Sequence, residues 1–237
     1  MEGKPLTPSC NPEGLNLPLI ISIDGNIGSG KTTLYQSLKD RYKNNSNMVF
    51  LKEPVGEWEK ITDGDGKTML QKFYEDQDKY SFSFQMMAYI SRLAIVRNAV
   101  KKNPNAIFIT ERSLFTDKYI FAKMLYDQGK IEDVNYQIYS NWFDEFAQDF
   151  PIHSIIWVNT EPELCHTRIN KRGRSGEETI SIDYLIDCNF YHHSYINEMD
   201  INVLQLDGNV DIFEDGTVME NWLNKIDNLV NNLKQVN

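Results

Sequence analysis

The octapeptide Gly25-Asn26-Ile27-Gly28-Ser29-Gly30-Lys31-Thr32 follows directly on the apolar run Leu17-Pro18-Leu19-Ile20-Ile21-Ser22-Ile23-Asp24. It fits GxxxxGK[ST], a pattern that works only between a buried strand and a helix, because loop N–H groups and the helix N-terminus together cradle phosphates. Lys31 is placed to reach terminal phosphates, the Thr32 hydroxyl to meet a magnesium ion, and Thr33 is counted with the cradle among the ATP-binding residues. A strand flanked in this way belongs to a parallel sheet covered on both faces.

The rest of the chain agrees with that demand. Short apolar runs recur at Leu19–Ile23, Met48–Leu51, Ala106–Ile109, Ile155–Val158 and Val203–Leu206, separated by segments of helical period. The predicted fold is α/β, a five-stranded parallel sheet flanked by helices. Helical patterns run from about Tyr80 to Lys101 and from Thr116 to Gln128, and an aromatic-rich one spans Asp133 to Phe146. A length of 237 residues suits one such domain, predicted over 17–237 after a leader of residues 1–16 that has Pro and Gly but no apolar period.

Charge and cysteine content narrow the partners. With 24 basic and 34 acidic residues the net charge is −10, which repels nucleic-acid backbones and favours a small-molecule substrate. Cys10, Cys165 and Cys188 form no CxxC pair, and no apolar run reaches the length of a membrane span. A reducing, cytoplasmic setting without nucleic-acid or membrane partners is expected. His153, His166, His192 and His193 have no metal-ligand spacing, and the adjacent pair reads as an exposed helix face.

In sheets of this kind ligands gather at the carboxyl ends of the strands. After the second run comes Glu53-Pro54-Val55 with Trp58, where Pro54 keeps Glu53 out of helical conformation and turns it to the cleft. After the third comes Glu111-Arg112-Ser113, and beyond the fourth lies Arg168-Ile169-Asn170-Lys171-Arg172-Gly173-Arg174, a cationic cluster in an acidic chain. Gln85, Ala88 and Arg92 sit at i, i+3 and i+7 of the long helix and share a face.

Taken in this order, Gly25–Thr32, Glu53-Pro54-Val55 with Trp58, Phe84-Gln85, Glu111-Arg112-Ser113 and the arginine segment resemble the deoxyribonucleoside kinase family, particularly its deoxycytidine, deoxyguanosine and deoxyadenosine kinase branch. The resemblance spans about residues 18–210. It implies a P-loop kinase fold with an arginine-rich lid at about 168–180, and an ATP-dependent transfer of phosphate to the 5′-hydroxyl of a deoxyribonucleoside for salvage. Glu53 is then the general base, Arg112 holds it in line with the 5′-oxygen, and Lys31 and Arg172 stabilise transferring charge. Glu111 joins Thr32 at Mg²⁺. Arg168, Arg172 and Arg174 clamp ATP phosphates, and Asp207, Gly208 and Asn209 lie against the ATP adenine. Glu177 meets the sugar 3′-hydroxyl with Tyr74 as partner, although Ser175-Gly176 departs from the acidic residues usual in this lid.

For the nucleobase the resemblance assigns Gln85, Arg92 and Asp117 as readers, with Asp117 meeting Arg92. An Asp117 carboxylate accepts from the amino group of cytosine or adenine, whereas thymine offers a carbonyl there and a methyl group that collides with the pair. Small Ala88, where deoxyguanosine kinases carry serine, tips the reading towards deoxyadenosine, with deoxyguanosine and deoxycytidine as alternatives. Leu70, Phe73, Trp58, Phe84 and Phe121 supply apolar walls. The resemblance also implies a homodimer and inhibition by the end-product deoxynucleoside triphosphate.

Three other readings compete. Asp63-Gly64-Asp65-Gly66 and Asn224-Lys225-Ile226-Asp227 fit the DxxG and NKxD patterns of GTPases, but neither follows a buried strand, and Ile226 belongs to the stripe of a terminal amphipathic helix. A nucleoside monophosphate kinase has little use for a base at Glu53, and a nucleotide-binding module without activity has none.

Overall fold

In a computed structural model the chain is described over residues 17–174, 176–212 and 216–236. The leader at 1–16, with Cys10, lies outside these residues, as does Ser175. Five strands, β1 (Leu19–Asp24), β2 (Met48–Leu51), β3 (Ile107–Glu111), β4 (Ile152–Asn159) and β5 (Asn202–Asp207), form one sheet in the order β2-β3-β1-β4-β5. Every pairing is parallel. All five apolar runs are strands, with β4 beginning three residues before its run.

Strand periodicity explains why both faces are covered. Ile21 and Ile23 of β1, Ile107 and Ile109 of β3, and Ile156 and Val158 of β4 point to one side. There they meet Leu34 and Leu38 of α1 (Lys31–Arg41) and Trp222, Leu223, Ile226 and Val230 of the C-terminal helix α10 (Gly216–Val236). Ile20, Phe108, Ile155 and Trp157 alternate to the other side, over a core built with α4 (Gln77–Lys102) and α9 (Ile182–Glu198). The remaining helices in chain order are α2 (Val55–Trp58), α3 (Met69–Glu75), α5 (Leu114–Thr116), α6 (Lys123–Asp127), α7 (Asp133–Phe146) and α8 (Pro162–Arg172).

The helix expected from Thr116 to Gln128 is not regular. Between α5 and α6 the residues Asp117–Ala122 form a π-helical turn, in which the widened ladder accommodates one extra residue and shifts the side-chain register. The histidine reading also needs correction. His192 is 1% exposed, bonded at Nδ1 to the Cys188 carbonyl (2.6 Å) and edge-on to Phe121, while His193 packs edge-on against Trp157. Helix α9 lies against the sheet on this side, so the pair serves packing.

The GTPase-like tetrads are occupied by structural contacts. Arg41 donates to Asn224 (2.8 Å), Asp227 (2.7 and 2.9 Å) and Glu220 (2.8 Å), and Tyr42 also bonds Asp227, which ties α1 to α10. Asp63 accepts the backbone N–H groups of Asp65 and Lys67 and pairs with Lys72. If α10 is a full partner of the sheet, Ile226→Ala should lower the unfolding free energy by about 2–5 kcal/mol in urea denaturation. A change below about 1 kcal/mol would show that the helix contributes little to that core.

Candidate functional site

The phosphate cradle closes the carboxyl end of β1, where the strand order leaves β3 on one side and β4 on the other. Gly28 has φ +80°, and a Cβ there would stand 2.5 Å from the Cys165 carbonyl oxygen, so this position needs glycine for both conformation and space. Lys31 Nζ turns back to donate to the Asn26 carbonyl (2.6 Å), while Asn26 uses its side chain to bind the Leu185 carbonyl (2.8 Å). Burial and the neighbouring Arg112 charge push the Lys31 ammonium down to about 7. Arg168 on α8 donates to the Ser29 carbonyl (3.3 Å), which brings the arginine segment onto the cradle.

Glu53 and Arg112 reach the same point from β2 and β3. Arg112 has φ +61°, a left-handed conformation uncommon outside glycine, and such strain is tolerated where the surroundings hold it. Its guanidinium donates to both Glu53 oxygens (3.0 and 3.2 Å), stacks 4.8 Å above Phe121 and points Nη2 at the Gly25 carbonyl (3.5 Å). Arg92, on α4, donates through Nη2 to Glu53 Oε1 (3.0 Å), through Nε to Asp117 Oδ2 (2.8 Å) and through Nη1 to the Glu111 carbonyl (2.7 Å). Burial alone would raise the Glu53 pKa, but Arg112, Arg92 and Lys31 outweigh it and hold the carboxyl at about 2.

Thr32 donates to Glu111 Oε1 at 2.5 Å, and Glu111 Oε2 is buried with no hydrogen-bond partner among the described residues. A hydroxyl and a carboxylate with a spare oxygen, beside a phosphate cradle, are the hard donors that Mg²⁺ takes when nucleotide phosphates complete its shell. At the end of α8 Arg172 pairs with Glu177, and Arg174 donates to the same carboxylate at 2.9 Å. Tyr74 stands edge-on to Tyr184 (6.0 Å) beside them.

A single cavity of ≈ 670 Å³ joins these parts. Its walls include Gly28–Thr33, Glu53, Trp58, Leu70, Tyr74, Phe84, Gln85, Ala88, Glu111, Arg112, Asp117, Phe121, Arg168, Arg172, Arg174, Glu177, Gly208 and Asn209. Ile27 also lines it. Several expected residues stand behind the wall instead. Phe73 stacks on Phe84 at 4.4 Å, Arg92 supports Asp117 and Glu53, and Gly25 and Asn26 shape the loop from within. Asp207 is exposed and holds its own turn by accepting from the Asn209 N–H (3.0 Å), whereas Gly208 fits so closely that a Cβ would lie 1.9 Å from Thr160 Oγ1.

The cavity also takes in Val55, Thr167, Lys171, Tyr184 and Trp222, which sequence reasoning did not select. Val55 and Lys171 lie within motifs already quoted, but no role is assigned to them there. Tyr184 and Trp222 sit in amphipathic helices whose stripes read as core, and nothing local separates them from it.

Because Glu53 has its pKa depressed on folding, its contribution to stability is complete above its unfolded value of 4.5 and is lost as pH falls towards about 2. The stability difference between the parent and Glu53→Gln should therefore shrink between pH 5 and pH 2 in urea melts. A difference that stays constant across that window would mean Glu53 is not held by the two arginines.

The model of the deoxynucleoside kinase family matches residues 21–231. The chain is 36% identical over 221 residues to "Probable deoxycytidine kinase FPV151" of Fowlpox virus, covering 90% of this chain and 88% of that protein. It is 32% identical over 208 residues to deoxycytidine kinase of Homo sapiens, covering 79% and 78% of the two chains. It is 29% identical over 196 residues to mitochondrial deoxyguanosine kinase of Xenopus laevis, covering 75% and 73%. With a phosphate cradle, a paired carboxylate and arginines converging on one cavity, the chain belongs to the deoxynucleoside kinase family, enzymes that transfer a phosphoryl group to a deoxynucleoside.

Proposed function

We propose that the preferred acceptor is deoxycytidine, with deoxyadenosine and deoxyguanosine as slower substrates, and that the donor is Mg²⁺-ATP. The Arg92–Asp117 pair behind Gln85 carries this reading, because a buried carboxylate beside an amide favours a base that presents an amino donor next to a ring acceptor. Cytosine and adenine both qualify, so the Arg92–Asp117 pair does not separate them. The names of the relatives favour cytosine over the adenine that Ala88 by itself suggests.

In this mechanism Glu53 accepts the proton of the 5′-hydroxyl. A carboxylate held at about 2 is always ionised at working pH and only weakly basic, which suits a proton that leaves late, once the oxygen has begun to bond phosphorus. Arg112 keeps both Glu53 oxygens in place, while Lys31, Arg168 and Arg172 supply positive charge around the migrating phosphoryl. Thr32 and Glu111 would hold Mg²⁺, which would supply positive charge to offset that of the nucleotide phosphates. Trp58, Phe84 and Phe121 flank the base, Glu177 with Tyr74 receives the sugar 3′-hydroxyl, and the Gly208-Asn209 backbone borders the ATP adenine. Since the cradle, Gln85 and Asp117 line one cavity, the product triphosphate can span both ends and compete with each substrate.

A second copy of the chain is the proposed partner. Val134, Ile138, Trp142 and Phe146 lie four residues apart on α7 and are 65%, 41%, 49% and 36% exposed. A stripe of this size is more apolar than a solvated helix face needs to be, and helix-to-helix self-pairing would cover it.

A panel of deoxycytidine, deoxyadenosine, deoxyguanosine and thymidine with Mg²⁺-ATP should rank deoxycytidine first by kcat/KM and thymidine last; thymidine in first place would overturn the role of Arg92 and Asp117. Glu53→Gln should lower kcat by about 10²- to 10⁴-fold while leaving ATP binding intact. Trp142→Glu should convert a dimer to a monomer in sedimentation velocity, and a parent that is already monomeric at micromolar concentration would remove the dimer.

A further inference from the structure

The base-reading end of the cavity is bonded directly to the phosphate-transfer end. One guanidinium, Arg92, is shared between Asp117, which faces the base, and Glu53, which faces the 5′-hydroxyl. Its Nε and Nη2 contact the Asp117 carboxylate at 2.8 and 3.3 Å, and its Nη1 is anchored on the Glu111 carbonyl at 2.7 Å. These three contacts hold the guanidinium plane, so Asp117, together with the Glu111 carbonyl, directs its Nη2–H bond to Glu53.

The two Glu53 oxygens are not equivalent. Oε1 accepts from Arg92 and from Arg112, each at 3.0 Å, whereas among the described residues Oε2 accepts only the longer Arg112 bond at 3.2 Å. A carboxylate oxygen with two guanidinium donors has its lone pairs engaged, and the oxygen with one long donor keeps an acceptor position.

We propose that Arg92, braced by Asp117, is a positioning residue for phosphoryl transfer, fixing the Glu53 carboxylate so that Oε2 receives the proton of the 5′-hydroxyl. The proton passes from that hydroxyl to Glu53 Oε2 as the sugar oxygen bonds to phosphorus and the bond to the donor's bridging oxygen breaks. Base recognition and catalysis thus share one ion-paired chain, and Asp117 affects the rate of transfer as well as the affinity for the base. The inference rests on the assignment of Glu53 as proton acceptor.

The test separates rate from recognition with a substrate that Asp117 cannot read. The 2-pyrimidinone deoxyriboside keeps the ring, the 2-carbonyl and N3 of deoxycytidine but lacks the 4-amino group. Single-turnover rates at saturating nucleoside and Mg²⁺-ATP are measured for the parent, Asp117→Asn, Glu53→Gln and the double variant. Asp117→Asn should slow transfer about tenfold on both nucleosides, within the ~100-fold that misplacing a reacting group by 1 Å can cost. In the Glu53→Gln background the Asp117 substitution should have no further effect.

An unchanged or faster rate for Asp117→Asn on the amino-free nucleoside, with the loss confined to KM for deoxycytidine, overturns the inference. The assignment of Glu53 fails separately, if Glu53→Gln transfers at the parent rate. Should Asp117→Asn melt early, the paired change Arg92→Gln with Asp117→Asn leaves no buried charge unpartnered, and the same tenfold slowing is expected of it.

Discussion

Four charges removed from water at the mouth of the sheet, Glu53, Arg92, Arg112 and Asp117, are the constraint around which the site is built. Their side chains are between 4% and 13% exposed, and two acids face two bases, so the cluster is neutral as a whole. No member survives burial alone: leaving one buried partner unpaired typically costs about 3–5 kcal/mol. The four come from the end of β2, from α4, from the end of β3 and from the π-helical turn, and the cluster therefore holds these elements in one arrangement.

Other features follow from that arrangement. Arg112 reaches Glu53, Phe121 and the Gly25 carbonyl only because its backbone adopts φ +61°, a conformation stabilised by the Arg112 N–H bond to the Ile23 carbonyl. Ser113 and Thr116 cap each other just beyond it, and Thr116 also donates to buried Asp24 (2.7 Å), so the turn carrying Asp117 is fastened to the end of β1. Trp58 and Phe84 line the cavity with an edge-on contact between them, and Phe73 stacks on Phe84 from behind. The cavity thus lies between a charged cluster and aromatic rings.

Much of this was legible residue by residue. Five apolar runs locate five parallel strands because a strand covered on both faces must be apolar throughout, and the cradle residues from Gly28 to Thr33 do line the cavity. The departures share a cause: sequence period reports which residues are apolar, not what they face. It could not reveal the π turn at Asp117–Ala122, the burial of His192 under Phe121, or the turn-holding role of Asp207. It also paired Arg92 with Asp117 alone, because the Glu53 contact joins residues 39 apart in the chain through elements whose packing is not local.

The sequence by itself determined the sheet, the phosphate cradle and the kinds of group near it, since strand period, glycine spacing and hydrogen-bonding chemistry are local properties. Only the tertiary structure decided which charges share a partner. Long arginine side chains can reach several carboxylates, and the choice among them depends on how α4, β2 and β3 converge. That convergence makes a residue expected to read the base also a ligand of the carboxylate expected to take the proton.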